Sequence, residues 1–188
     1  MRKDLIANQG RKKNKPFTKA IMISLLAGFV LTLFSFVRVE TKSETIHLFK
    51  VERSKDPDFL RYDVNVFANK LDVKNPLHIY WVKPTQHNKE TPLTWIQRNY
   101  SYGIEYLKVS DTEAEFQFVS YHKRTFQIKK DDANVFRVFT KSGNKEVIVN
   151  SIYIQIDGGT FWFPQISRVE LHCQNPNSLK EMVEVIKP

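Results

Sequence analysis

An unbroken run of 18 uncharged residues, Ala20 to Val37 (AIMISLLAGFVLTLFSFV), constrains this chain more than any other feature. A helix rises ~1.5 Å per residue, so such a run spans about 27 Å, close to the ~30 Å hydrocarbon thickness of a bilayer. Its only polar side chains are Ser24, Thr32 and Ser35, too few for the polar face of a helix in a soluble core. The run therefore predicts a single transmembrane signal-anchor. Seven cations precede it (Arg2, Lys3, Arg11, Lys12, Lys13, Lys15, Lys19) against Asp4, whereas Arg38, Glu40, Lys42 and Glu44 balance after it. The positive-inside rule then makes residues 1–19 a cytoplasmic basic tail and places the rest in the periplasm or outside the cell. A cleaved signal peptide is the competing reading. Its apolar core is usually shorter, about 7–15 residues, with a small-residue cleavage site; the exit here offers only Leu33 and Ser35. Both readings export the remainder.

That placement also accounts for the formal charge of +9. Beyond residue 19 the chain holds 22 of its 29 cations and 19 of its 20 anions, an excess of only three. A nucleic-acid-binding domain concentrates positive charge on its folded surface, so no nucleic-acid partner is expected. The single cysteine, Cys173, excludes an internal disulfide and a CxxC motif. It reads as a small apolar side chain rather than a nucleophile.

Past a polar linker at 38–44, short runs alternate with period two and are rich in β-branched and aromatic residues. Strands are expected near 45–53, 59–68, 77–83, 104–109, 114–121, 124–130, 135–140, 146–156 and 161–172. Turn-forming clusters separate them, among them Lys55-Asp56-Pro57-Asp58, Ser142-Gly143-Asn144 and Asp157-Gly158-Gly159, the last read as a tight hairpin turn. One helix is expected after Thr91-Pro92, as N-cap and first helical proline, closing at Gly103. A second is expected at Ser178–Val185, with Ser178 as cap and Glu181 in the capping-box position. About nine close-spaced strands without alternating long helices indicate a mainly β fold, an antiparallel barrel-like or sandwich domain over residues 45–188.

Three clusters place polar planar or charged groups among rings. Gln97 and Arg98 stand near Tyr102 in the expected helix, and Arg suits carboxylate or phosphate through its bidentate fork. His122-Lys123-Arg124 follows Tyr121, and Gln155 leads into Asp157-Gly158-Gly159-Thr160-Phe161-Trp162. Each also has a plainer reading, respectively an ion pair beside core rings, a charged hairpin tip, and a turn followed by core aromatics. Five histidines (His47, His78, His87, His122, His172) are scattered; only Glu170 and His172 are spaced as a ligand pair, and no metal, phosphate-loop, dinucleotide or nucleophile-elbow motif occurs. No cofactor or metal is expected.

The segments Asn75-Pro76-Leu77-His78-Ile79-Tyr80-Trp81, Leu93 through Gln97-Arg98 to Tyr102-Gly103, Lys123-Arg124, and Ile154-Gln155-Ile156-Asp157-Gly158-Gly159-Thr160-Phe161-Trp162 together resemble the family called domain of unknown function 4833. The resemblance covers roughly residues 45–172. It implies a compact exported bacterial domain and carries no activity onto any residue; the anchor stands where a signal peptide or nothing is expected.

The leading functional expectation is a non-catalytic, membrane-tethered envelope module for a small anionic or amphipathic ligand, a lipid or a glycan. Its expected binding residues are Tyr80, Gln97, Arg98, Tyr102, Lys123, Arg124, Gln155 and Trp162. A second reading is a scaffolding domain that docks another envelope protein through a strand edge. A third is a hydrolase with a dispersed acid/base pair drawn from Glu105, Asp157, His78 and His122.

Overall fold

A computed structural model describes residues 43–160 and 163–187. The basic tail, the apolar run Ala20–Val37, most of the linker, and Phe161 and Trp162 lie outside the described residues. Among the described residues no helix is long and apolar enough to cross a membrane.

Twelve strands form one sheet curled into a half-barrel. They are β1 (Ser43–Arg53), β2 (Asp56–Phe67), β3 (Lys70–Leu71), β4 (Leu77–Lys83), β5 (Lys89–Pro92), β6 (Ile104–Val109), β7 (Ala114–Phe118), β8 (Tyr121–Lys130), β9 (Phe136–Ser142), β10 (Lys145–Gly159), β11 (Pro164–Gln174) and β12 (Glu181–Ile186). The main path runs β5-β4-β2-β1-β10-β9-β8-β7-β6, with β11 and β12 leaving from β10 and β3 from β2.

Strand β10 is the hub. Its first residues pair with β9, as Lys145 with Ser142 and Ile148 with Phe139. Further along it pairs in parallel with β1, Lys50 facing Ser151 and Arg53 facing Ile154. Its other edge takes β11 from Ile148 to Gly159. Because β9 and β1 take successive stretches of β10, they lead two separate wings, β1–β5 and β6–β9. Val147, Ile148 and Val149 are consecutively buried, so both faces of β10 are covered here, as expected of a central strand.

Rings close the wings against each other. Phe49 of β1 stacks on Tyr62 of β2 with centroids 4.5 Å apart, and Phe118 of β7 meets both edge-on at 6.3 and 5.8 Å. Phe118 also meets Phe126 of β8 at 5.1 Å, and Phe126 stacks on Phe116 at 5.4 Å. Offset and edge-to-face rings satisfy the aromatic quadrupole while burying large apolar areas. The Tyr62 hydroxyl donates to the Tyr102 carbonyl (2.7 Å), and the Leu71 amide donates to the Asp111 carbonyl (2.8 Å).

Several local expectations give way. The helix, α1 (Trp95–Tyr100), starts three residues late. Thr94 is the N-cap, accepting from the Gln97 amide while the Gln97 side chain accepts from the Thr94 amide. Pro92 instead ends the edge strand β5, where its missing N–H costs no ladder bond. Gly103 does follow the helix; a Cβ there would fall 1.7 Å from the Arg98 carbonyl oxygen, so only glycine fits.

No second helix forms at Ser178–Val185. Residues 181–186 are β12, paired through six positions with β11. So short a segment is a poor helix nucleus, and β-branched Val183, Val185 and Ile186 suit the ladder that β11 offers. The expected turn at Asp157-Gly158-Gly159 is also displaced. Strand β10 runs to Gly159, which pairs with Pro164, and the connection falls after it. Only Gly159 takes positive φ (86°), and a Cβ there would clash with the Phe163 carbonyl at 2.2 Å. Strands β3, β5 and β12 raise the expected nine to twelve, and the β1–β10 pair departs from a wholly antiparallel sheet.

Candidate functional site

The aromatic packing does not fill the half-barrel. Beyond it β10 and β11 contribute aliphatic side chains to the same interior, Ile152, Ile154 and Ile156 from one and Ile166, Val169 and Leu171 from the other. These are smaller than the rings facing them, and a cavity of about 380 Å³ remains. Its other walls are Tyr62, Phe118 and Phe126 from the ring cluster, Tyr100–Tyr102 from the end of α1, and Ile186 of β12. Polar groups are few. The Ser120 hydroxyl is turned to the Ser101 carbonyl (2.6 Å) and the Tyr62 hydroxyl to the Tyr102 carbonyl (2.7 Å), which leaves Tyr100, Ser101, Tyr102, Tyr121 and Arg124 as the other polar-bearing side chains of the lining.

Arg124 brings no free charge inside. Its two terminal nitrogens grip both oxygens of Glu184 on β12, and Nη1 also donates to the Lys141 carbonyl at 3.1 Å. The hydrogen bonds from Arg124 hold the Glu184 carboxyl below its usual range, against the upward pull of burial. The pair fastens β8 to the edge strand β12.

Next to the cavity lies a groove of about 680 Å³ between α1 and the β10–β11 hairpin. The two spaces share Tyr100, Ser101, Tyr102, Ile156 and Pro164. Arg53, Lys55 and Gln97 supply the groove's polar side, and Trp95 and Ile96 its apolar side. The Arg53 guanidinium lies over the Trp81 ring (4.6 Å) and near the Tyr102 ring (5.9 Å). It donates to the Tyr102 hydroxyl (3.1 Å) and pairs with Asp56. Trp95, Tyr100 and Phe163 are 68%, 66% and 82% exposed.

The sequence-selected residues divide among several places. Tyr102 lines both spaces, Gln97 the groove and Arg124 the cavity. Gln97 is also structural, since its Oε1 accepts from Trp81 Nε1 (3.2 Å) while capping the helix. Arg98 and Lys123 are exposed and line neither space. Gln155 alternates with Ile154 and Ile156 and so takes the opposite strand face, where it donates to Asp157 at 2.9 Å. Tyr80 is buried on the outer face of the β1–β2–β4 wing, its hydroxyl donating to Asp63 at 2.7 Å. Trp162 lies outside the described residues.

Asp63 is one of two buried polar residues of the described fold. Burial pushes its carboxyl up, but donors from His47 (2.8 Å), Tyr80 and Arg61 (2.9 Å) outweigh that and leave it below its usual range. Burial and the Asp63 carboxylate both push the Tyr80 hydroxyl up.

Of the acid/base candidates, Glu105 and His122 approach to 3.8 Å, with both side chains more than half exposed. Neither they nor Asp157 nor His78 line the cavity or the groove. Glu170 and His172 do meet, at 3.3 Å, but no group of three metal-ligating side chains forms among the described residues. Cys173 is buried, and burial pushes its thiol up to about 11.

Sequence reasoning missed Arg53, Lys55, Tyr100 and the isoleucine row of β10 as lining residues. Alternation along the strand at 146–156 puts these isoleucines on one face, yet it cannot say that the space opposite is unfilled. Arg53 and Lys55 sat in a segment read as strand end and turn.

A family model described as a domain of unknown function (DUF4833) matches residues 49–185. No curated protein and no solved structure matches the chain.

Proposed function

The chain belongs to the family of domain of unknown function DUF4833, and from that premise we propose that it is a non-catalytic binding module whose half-barrel takes the apolar part of a small amphipathic ligand. The observation that carries this reading is the cavity of about 380 Å³ with aliphatic and aromatic walls and few polar groups. Pockets for small molecules have this size and this lining. At ~30 Å³ per water-sized group the space accommodates roughly a dozen methylene-sized groups. The apolar run Ala20–Val37 fits the same reading: a chain tethered to a membrane, its domain outside the cytoplasm, works where acyl-chain ligands are abundant.

Native mass spectrometry of the full chain, released from its own membranes without detergent exchange, tests the proposal. The wild type is expected to carry a bound mass that Ile154→Phe, which sets a ring across the cavity, loses in large part. A bare wild-type mass in repeated preparations overturns it.

One observation favours a second reading, docking of an envelope protein at a strand edge. Among the described residues strand β12 pairs on one side only, with β11, and leaves Val183 and Val185 about half exposed. An unpaired edge with apolar side chains is a template for strand addition. Crosslinking in membranes that yields a β12 adduct to a second protein distinguishes it.

A further inference from the structure

Resting on the reading of the cavity as a chamber for an apolar tail, we infer that the adjoining groove is its anion receptor. Arg53 and Lys55 take the carboxylate or phosphate head of a single-chain amphiphile there. The cavity and the groove meet along Tyr100, Ser101, Tyr102, Ile156 and Pro164, so one molecule can occupy both.

Charge assigns the ends. Inside the cavity Arg124 is neutralised by both oxygens of Glu184, which leaves no free charge for a head group. The groove differs, because Arg53 and Lys55 line it and, among the described residues, no carboxylate does. Two acidic residues in contact with these cations, Asp56 and Asp157, stand outside the lining; Asp56 pairs with one terminal nitrogen of Arg53, and Asp157 gives Lys55 its backbone carbonyl at 3.0 Å.

Arg53 also carries an unanswered donor. A guanidinium has five N–H groups. Those of Arg53 reach Asp56 and the Tyr102 hydroxyl, but Nε is buried with no partner, the only such side-chain atom among the described residues. A buried donor without an acceptor is costly until one arrives. The rings of Trp81 and Tyr102 hold the guanidinium in place, so little freedom is lost when an oxyanion binds. Lys55 adds an exposed ammonium whose contact to one carbonyl leaves two of its three N–H groups available.

The test uses the full chain in lipid nanodiscs and four probes with the same diazirine-bearing dodecyl chain: the carboxylate, the phosphate, the alcohol and the ammonium. Photolabelling of peptides from β10 and β11 is quantified by mass spectrometry. The carboxylate and phosphate are expected to label these peptides at least about ten-fold more than the alcohol or the ammonium, the ratio that a charge-assisted hydrogen bond gives. Lys55→Gln, a change at an exposed turn residue, is expected to cut that preference several-fold. Arg53→Gln is expected to abolish it, with the melting curve as its check of folding. Equal labelling by all four heads, unchanged in Lys55→Gln, overturns the anion receptor and leaves the cavity reading standing. Labelling of these peptides by none of the probes overturns both.

Discussion

Within one half-barrel, the ring cluster of β1, β2, β7 and β8 and the aliphatic walls of β10, β11 and β12 solve the same packing problem differently. On the first side five rings lie within stacking or edge distance of one another, and Phe49, Tyr62 and Phe116 are fully buried. On the second, isoleucine, valine and leucine from equivalent inward positions leave about 380 Å³ unfilled. Protein interiors pack to crystal-like density, so a void of this size forgoes contacts that the ring cluster makes. The difference teaches that the rings hold the wings together and the aliphatic walls keep room.

Three substitutions test that division, and the largest effect belongs to the rings. Phe49→Ala removes the centre of the cluster and is expected to cost about 3–5 kcal/mol in denaturant unfolding. A loss below about 1 kcal/mol means that the wings are joined by something else.

Next comes the buried carboxylate on the outer face of the ring wing. A carboxylate held below its unfolded value contributes stability above that value and loses it as pH falls through the folded one. Asp63 is such a group, through His47, Tyr80 and Arg61. Stability is therefore expected to drop on acidification below about pH 4, in the range of free Asp carboxyls. Asp63→Asn should cost about 2 kcal/mol at neutral pH and flatten the acid limb of the melting profile. An unchanged acid limb places the acid-sensitive group elsewhere, with Glu184 on the cavity side the next candidate.

The smallest effect on stability is expected in the cavity wall. Ile154→Phe adds volume where overpacking a full core costs about 1–3 kcal/mol; here the change should stay below about 1 kcal/mol while ligand mass is lost. A cost equal to that in the ring cluster erases the distinction between the two sides.

Much of the sheet was legible because alternation is a local signal. The strands at 77–83 and 104–109 match to the residue, since turn residues bound both. What was not legible depends on partners. Val183 and Val185 lie in β12 because β11 offers a ladder, and Pro92 lies in β5 because the outer side of β4 is free there. Single-sequence pattern carries no record of such neighbours. The site was less legible still. Tyr102, Gln97 and Arg124 were picked out as polar or aromatic groups close in sequence, whereas Arg53 and Lys55 join them from the β1–β2 turn, about 40 to 70 positions earlier. Gln155 was misplaced for a simpler reason: it stands next to the lining residues in sequence and therefore on the other face of their strand.

The branching of β10 also sets an order of events for a chain made from its N-terminus. Lys50 finds its partner Ser151 101 positions later, a long closure that slows folding. Until that stretch has been synthesised, β1 has only β2 beside it, and its other edge is open to any passing strand. A nascent chain halted near residue 140 has its hairpins and its rings, but not the strand whose ladder runs from one wing to the other. The cavity, walled in part by the last two long strands, is thus the final part of the fold to come into being.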